Sequence, residues 1–166
     1  AYAGPVPRSY ERTHEAIVEA LEALGLAGAR VRRDETVGSD VDGTGMCFHE
    51  STDLDVCWPR ADGTLAKGVG TAQRRSAGRV LHHGSIKLGP SPLEPGVATL
   101  ADLGLDVDVR AAGEALAAAV ERTFDVALER EEAAPALLEE GERLGARHVD
   151  PAFVHREVRR ARARRT

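Results

Sequence analysis

LAKGVGTAQRRSAGRVLHHGSIKL, residues Leu65 to Leu88, decides how this chain folds. Leu65 to Gln73 reads as a strand unusually rich in small residues. Arg79 to Leu88 reads as another. The stretch also holds both lysines of the chain, Lys67 and Lys87, while the remaining Lys/Arg-type charges are arginines. A lysine kept beside Gly68, Val69, Gly70, Thr71 and Ala72 calls for a reason. Small side chains in a strand let another group approach the backbone closely. An ammonium beside such a surface can meet a carbonyl or phosphate oxygen where negative charge develops during acyl transfer. The plainer alternative is a glycine-weakened edge strand with an exposed lysine.

The flanks extend the pattern. Leu54 to Trp58 is the preceding strand, joined to Leu65 by a turn over Pro59 to Gly63. Ala29 to Arg33 suggests a short strand, and Thr36 to Gly45 a loop rich in Gly, Asp and Thr. Ile17, Val18, Leu21 and Leu24 recur at helical spacing, so Ser9 to Leu24 is a helix closed by Gly25. Gly89 to Pro95 breaks the chain, and Thr99 to Leu103 suggests one helical turn. Asp108 is a good N-cap for a helix to about Leu128, on which Leu116, Val120, Phe124 and Leu128 share a face. A last helix is expected from Pro135 to Leu144, ending at Gly145. The order is helix, strands, helices. It predicts an α/β fold of the α+β kind: a mostly antiparallel sheet with helices on one face.

Composition narrows the function. The 166 residues are 42% hydrophobic and 30% charged, as in a globular domain. No apolar run approaches the ~20 residues of a membrane span, and no signal peptide is visible. A net charge of -5 argues against general nucleic-acid affinity. The basic end, HREVRRARARRT, reads as a solvated terminus or as an arm for an acidic partner. Two cysteines without a CxxC pair fit a reducing cytoplasm, and a disulfide between them is not expected. The first residue is Ala, which suggests a processed, truncated or internal start.

Cys47, in GMCFHE, is a candidate nucleophile if a nearby cation favours its thiolate. It reads equally as a small buried hydrophobe, as Cys57 does. In HHGSI, strand alternation sends His82 and His83 to opposite faces of the sheet, so one of them can face a ligand. DVDGTG lacks the closing glutamate of a calcium loop. Phosphate-loop, HExxH and GxSxG patterns are absent.

Taken in order, Cys47-Phe48, Asp55-Val56, Lys67 to Arg75 and His82-His83-Gly84-Ser85-Ile86 resemble the lipoate-protein ligase and octanoyltransferase family, relatives of the biotin-protein ligases. The family's run is a CF pair, an acidic-apolar strand, GxKxxGxAQxR and xHGSI. The resemblance covers roughly Ser9 to Arg156, with a longer turn between Pro59 and Leu65. It implies the biotin/lipoate ligase fold, with residues 1–166 a single domain forming its C-terminal portion. The family's N-terminal half, with its RRxTGGGxVxH segment, is then absent, held in a second chain or cleaved away. An unpaired strand edge or apolar patch is expected in consequence.

The resemblance also implies roles. Lys67 contacts the acyl carbonyl and, with Cys47, is catalytic. Gly70, Thr71, Ala72, Gln73, His82, His83 and Gly84 bind substrate, and no residue is assigned to a metal. The implied activity is transfer of an octanoyl or lipoyl group to a lysine of a lipoyl carrier domain in the cytoplasm. In one branch Cys47 takes octanoyl from acyl carrier protein, and no cofactor is needed. In the other, ATP and magnesium activate lipoate as an acyl-adenylate, and Cys47 is a bystander. A non-catalytic subunit needing a partner chain is the third possibility.

Overall fold

A computed structural model describes residues 4–33, 35–41, 48–92 and 94–154. They belong to two compact units, Ala1–Leu128 and Glu129–Thr166. The first unit contains helix α1 (Val6–Ala23), strands β1 (Arg30–Val31), β2 (Val56–Pro59), β3 (Leu65–Ser76) and β4 (Arg79–Ile86), a 3-10 turn (Ala101–Leu103) and helix α2 (Val109–Phe124). The second contains helices α3 (Pro135–Val149) and α4 (Pro151–Val154). No helix among the described residues is long and apolar enough to cross a membrane.

The four strands form one antiparallel sheet in the order β1-β2-β3-β4. Ile17 and Leu21 of α1 pack on Val56, Trp58, Ala66 and Val69 of the sheet, and Ala98 and Leu100 close this core. Ala16 and Ala20, on the neighbouring stripe of α1, meet Ala119 and Phe124 of α2. The expected α+β arrangement is therefore present. The outer edge of β4 has no strand partner among the described residues, and its Leu81 is 60% exposed.

One irregularity sets the faces of the sheet. Val56 pairs with Val69, but Cys57 pairs with Lys67, so Gly68 is an extra residue in β3. Two residues of the bulged strand oppose one on its partner, which resets the in-out alternation. Without the bulge, Lys67 and Val69 would share a face. With it, Ala66 and Val69 both join the core, while Lys67 turns to the opposite face. The ladder is mended from outside: Ala98 N–H donates to the Lys67 carbonyl (3.0 Å), and Lys87 N–H to that of Gly68 (2.9 Å).

Element ends differ from the sequence reading where local chemistry intervenes. Helix α1 begins at Val6 rather than Ser9, with Pro5 as its N-cap. Its far end is closed by Gly25, as read, at φ +93. The Asp108 cap holds, its carboxylate accepting from Ala111 N–H at 2.7 Å. Yet α2 stops at Phe124 rather than Leu128, because Asp125 adopts a left-handed conformation (φ 52) and Val126 N–H returns to the Glu121 carbonyl. In the second unit, α3 runs through Gly145 to Val149. It ends where Pro151 forces Asp150 into extended backbone.

Candidate active site

Lys67 lies at the centre of the buried polar groups. Its side chain is 5% exposed and its Nζ sits 2.8 Å from Oδ2 of Asp55, itself 6% exposed. Nζ also donates to the Glu50 carbonyl at 3.0 Å. The backbone is pinned as well, since Lys67 N–H donates to Oγ of buried Ser39 at 2.9 Å. Asp55 is oriented in turn by Thr52 N–H, 2.7 Å from Oδ2. This is a buried ion pair with a backbone hydrogen bond to each partner, and such support offsets the cost of burying the charges.

Both lysines of the chain address one aromatic ring. The Lys67 and Lys87 ammonium groups lie 5.4 Å and 4.2 Å from the centroid of Phe48. Lys87 is also paired with Glu94. Neither lysine is the exposed edge residue of the plainer reading.

Phe48, Lys67, Gly70, Ala72, His83 and Ser85, with Thr71 and Gly84, line a cavity of about 230 Å³. Its floor is bare for steric reasons. A Cβ on Gly70 would stand 3.0 Å from Lys67 Cε and 3.3 Å from Nζ. Gly84, the cross-strand partner of Thr71, is kept bare from the other face: a Cβ there would meet the Gly70 carbonyl at 2.4 Å and Thr71 Cγ2 at 2.7 Å. Gly68 is different. The place of its missing Cβ is taken by the Trp58 ring at 1.9 Å, so this glycine serves the core rather than a ligand.

Of the residues implicated from sequence, the structure brings Lys67, Gly70, Thr71, Ala72, His83 and Gly84 to this cavity, Thr71 and Gly84 by their backbone. Thr71, Gln73 and His82 turn their side chains to the other face, toward α1. Thr71 Oγ1 is 2.7 Å from His14 Nε2 and 3.0 Å from His82 Nε2. Gln73 Nε2 is 3.1 Å from His82 Nδ1 and 3.0 Å from Ser9 Oγ. The expected division of His82 and His83 between the two faces holds. Cys47 lies outside the described residues.

Burial pushes the His14 imidazole below its ordinary value of 6.5, and burial with neighbouring His14 and His83 does the same for His82. Cys57, fully buried beside Lys67, is pushed up to about 12, first by burial and then by the Asp55 carboxylate. That thiol is chemically quiet.

His14 and Lys87 escaped the sequence reading. A signal for His14 was present: Tyr10, His14, Ile17 and Leu21 follow helical spacing, which places a histidine on the buried stripe.

No protein-family model matches the chain, and neither does any curated protein sequence. Solved structures do match. A proposed lipoate protein ligase from T. acidophilum superposes with a TM-score of 0.59 at 18% identity, over 85% of this chain and 55% of that one. The same protein with bound lipoic acid gives 0.61 over 92% and 60%. Lipoate-protein ligase A bound with ATP gives 0.54 at 18% identity, over 95% and 60%.

The chain has the lipoate-protein ligase fold.

It spans 55 to 60% of the length of these solved ligase chains. Within the lipoate-ligase fold described here, the buried Lys67–Asp55 pair and the glycine floor of the adjoining cavity are the features with chemical capacity. An ammonium fixed in advance at the wall of a cavity can stabilise charge growing on an oxygen without reorganising.

Proposed function

We propose that this chain carries the lysine-bearing part of an enzyme that attaches an octanoyl or lipoyl group to a lysine of a lipoyl carrier domain in the cytoplasm. One observation carries the reading. Lys67, alone among the described lysines and arginines, lines the cavity of about 230 Å³, with an ion-pair partner and beside the bare Gly70. In acyl transfer the carbonyl oxygen becomes an oxyanion as the nucleophile adds. The Lys67 ammonium, aimed by Asp55 and the Glu50 carbonyl, would meet that oxygen. Gly70 leaves room for an acyl chain against Phe48 and Ala72. His83 forms the opposite wall.

Two acyl donors are considered. A thioester is the leading one, with octanoyl passing from acyl carrier protein to Cys47 and then to the carrier lysine. The small, mostly apolar cavity suits an acyl chain. The second reading, ATP-dependent lipoate ligation, is favoured by the ATP-bound and lipoate-bound neighbours.

Incubation with octanoyl carrier protein, or with lipoate, ATP and magnesium, followed by intact mass of a lipoyl domain, tests both. An octanoyl adduct lost in Cys47→Ser but kept in Cys57→Ser supports the thioester route. Full ATP-dependent lipoylation by Cys47→Ser supports the ligase. Lys67→Arg is expected to lose about 10²-fold or more in either route, the scale for removing one oxyanion donor. Lys87→Arg is the control, since arginine can keep both the Glu94 pair and the Phe48 contact. Near-normal turnover by Lys67→Arg would sink the assignment.

A further inference from the structure

The β2–β3 ladder ends early. Its last pair is Val56↔Val69, and continuing that register would set Leu54 opposite Thr71. The backbone makes no such pair. The imidazole of His14 stands in the gap instead. Its Nδ1 bonds to the Leu54 carbonyl, and its Nε2 lies 2.7 Å from Thr71 Oγ1. His14 is 1% exposed.

The hydrogen-bond directions form one chain. A carbonyl only accepts, so His14 carries its proton on Nδ1 and Nε2 accepts from the Thr71 hydroxyl. Thr71 Oγ1 then accepts from His82 Nε2–H, and His82 Nδ1 accepts from the Gln73 amide. Arg75 Nε donates to Gln73 Oε1 at 2.8 Å. Ser9 Oγ and Thr13 Oγ1 join this series from α1, 3.0 Å from Gln73 Nε2 and 3.4 Å from His82 Nδ1, and it ends on the peptide joining Leu54 to Asp55. Three residues of the sequence signature whose side chains leave the Lys67 cavity, Thr71, Gln73 and His82, thus converge on His14.

We infer that His14 is a positioning residue, a side-chain rung between Leu54 and Thr71 that fixes the Asp55 carboxylate on the Lys67 ammonium. The two partners of that ion pair sit on the two segments the imidazole joins. The inference rests on the proposed role of Lys67, but its test does not use that activity.

The chain has two lysines, so a small acylating reagent reports on both at once. The full chain is treated briefly with acetic anhydride under native conditions, and peptide mass spectrometry gives the ratio of Lys67 to Lys87 acetylation. In His14→Leu the rung is gone. Loss of a buried hydrogen bond of about 1.4 kcal/mol should raise the Lys67:Lys87 ratio about tenfold through local opening. In His14→Asn the amide occupies the Nδ1 position and keeps the Leu54 bond but not the Thr71 one, so the ratio should fall between those of the parent and His14→Leu. Thr71→Val, which keeps the shape and removes the hydroxyl, serves if His14→Leu does not fold, and it too should raise the ratio. An unchanged ratio in both apolar variants overturns the inference. So does an equal rise at both lysines, which marks general loosening, or a ratio in His14→Asn as high as in His14→Leu. A raised ratio in a protein without acyl transfer would refute the proposed function and leave the role of His14 standing.

Discussion

Replacing Asp55 with Asn removes one charge of the buried pair and little else. Asparagine keeps the shape and an oxygen for Thr52 N–H. The Lys67 ammonium, with a side chain 5% exposed, then retains the Glu50 carbonyl but loses its counter-ion. Stranding a buried charge costs about 3–5 kcal/mol. Against a total stability of roughly 5–15 kcal/mol, the variant should still fold. Its melting temperature should fall by roughly 6–20 °C at about 2–4 °C per kcal/mol for a chain of this size. Removing both charges, in Asp55→Asn with Lys67→Met, should recover much of the loss, because no ion is left unpaired. Urea unfolding of the parent, both single variants and the double variant measures the coupling directly. Additive effects, or a cost below about 1 kcal/mol for Asp55→Asn, would place the pair with ordinary solvated ion pairs and refute the reasoning.

Gly68→Ala should destabilise by about 1–3 kcal/mol or more, since its methyl would enter the Trp58 ring; the emission of this single tryptophan should shift, and an unmoved spectrum with parent stability would mean the bulge relaxes freely. Two histidines, buried His14 and half-buried His82, make stability depend on pH. Their folded-state values lie below 6.5, so above about 6.5 both states are neutral and add no slope. Below it the unfolded chain takes up protons that the fold refuses, and stability should fall with decreasing pH until the folded-state values are passed. His14→Asn should flatten that fall in parallel denaturation curves, with Tyr10, His82, Asp55 and Lys67 the remaining polar neighbours. In a Cys47→Ser chain, Cys57 should react with iodoacetamide at pH 8 more than about a thousandfold slower than a free thiol, until denaturant exposes it; rapid native labelling would contradict its burial.

The strands, both main helices and Lys67 were legible because each has a local cause. Period-two or period-3.6 patterning marks the elements, and a lone lysine among small residues is conspicuous. What was not legible is non-local. The Gly68 bulge exists because the Trp58 ring needs the space of a side chain, and nothing between Leu65 and Gly70 states where Trp58 lies. A strict alternation therefore misassigns one half of β3. The glycines looked alike in sequence, yet Gly70 opens a cavity, Gly84 yields to Thr71 across the ladder and Gly68 yields to the Trp58 ring in the core. Asp55 was visible as part of a pattern, but its service to Lys67 needs the register of β2 against β3.

Strand β3 counts its residues twice. Up to Lys67 the count is kept by β2; from Val69 onward it is kept by β4, and Gly68 is the single beat between the two tallies. Substitution leaves this arithmetic intact, whereas deleting residue 68 does not. The chain would then have to choose. Either Lys67 swings under α1 into the place of a core residue, or the Thr71 hydroxyl and Gln73 amide rotate into the cavity and abandon His14. Both outcomes separate the ammonium from the machinery that aims it. Here the length of one strand, to the nearest residue, is under stricter constraint than the identity of most side chains on it. Relatives of this chain should vary more readily in the Arg60 to Thr64 hairpin, which lies outside both counts, than in the number of residues from Leu65 to Ile86.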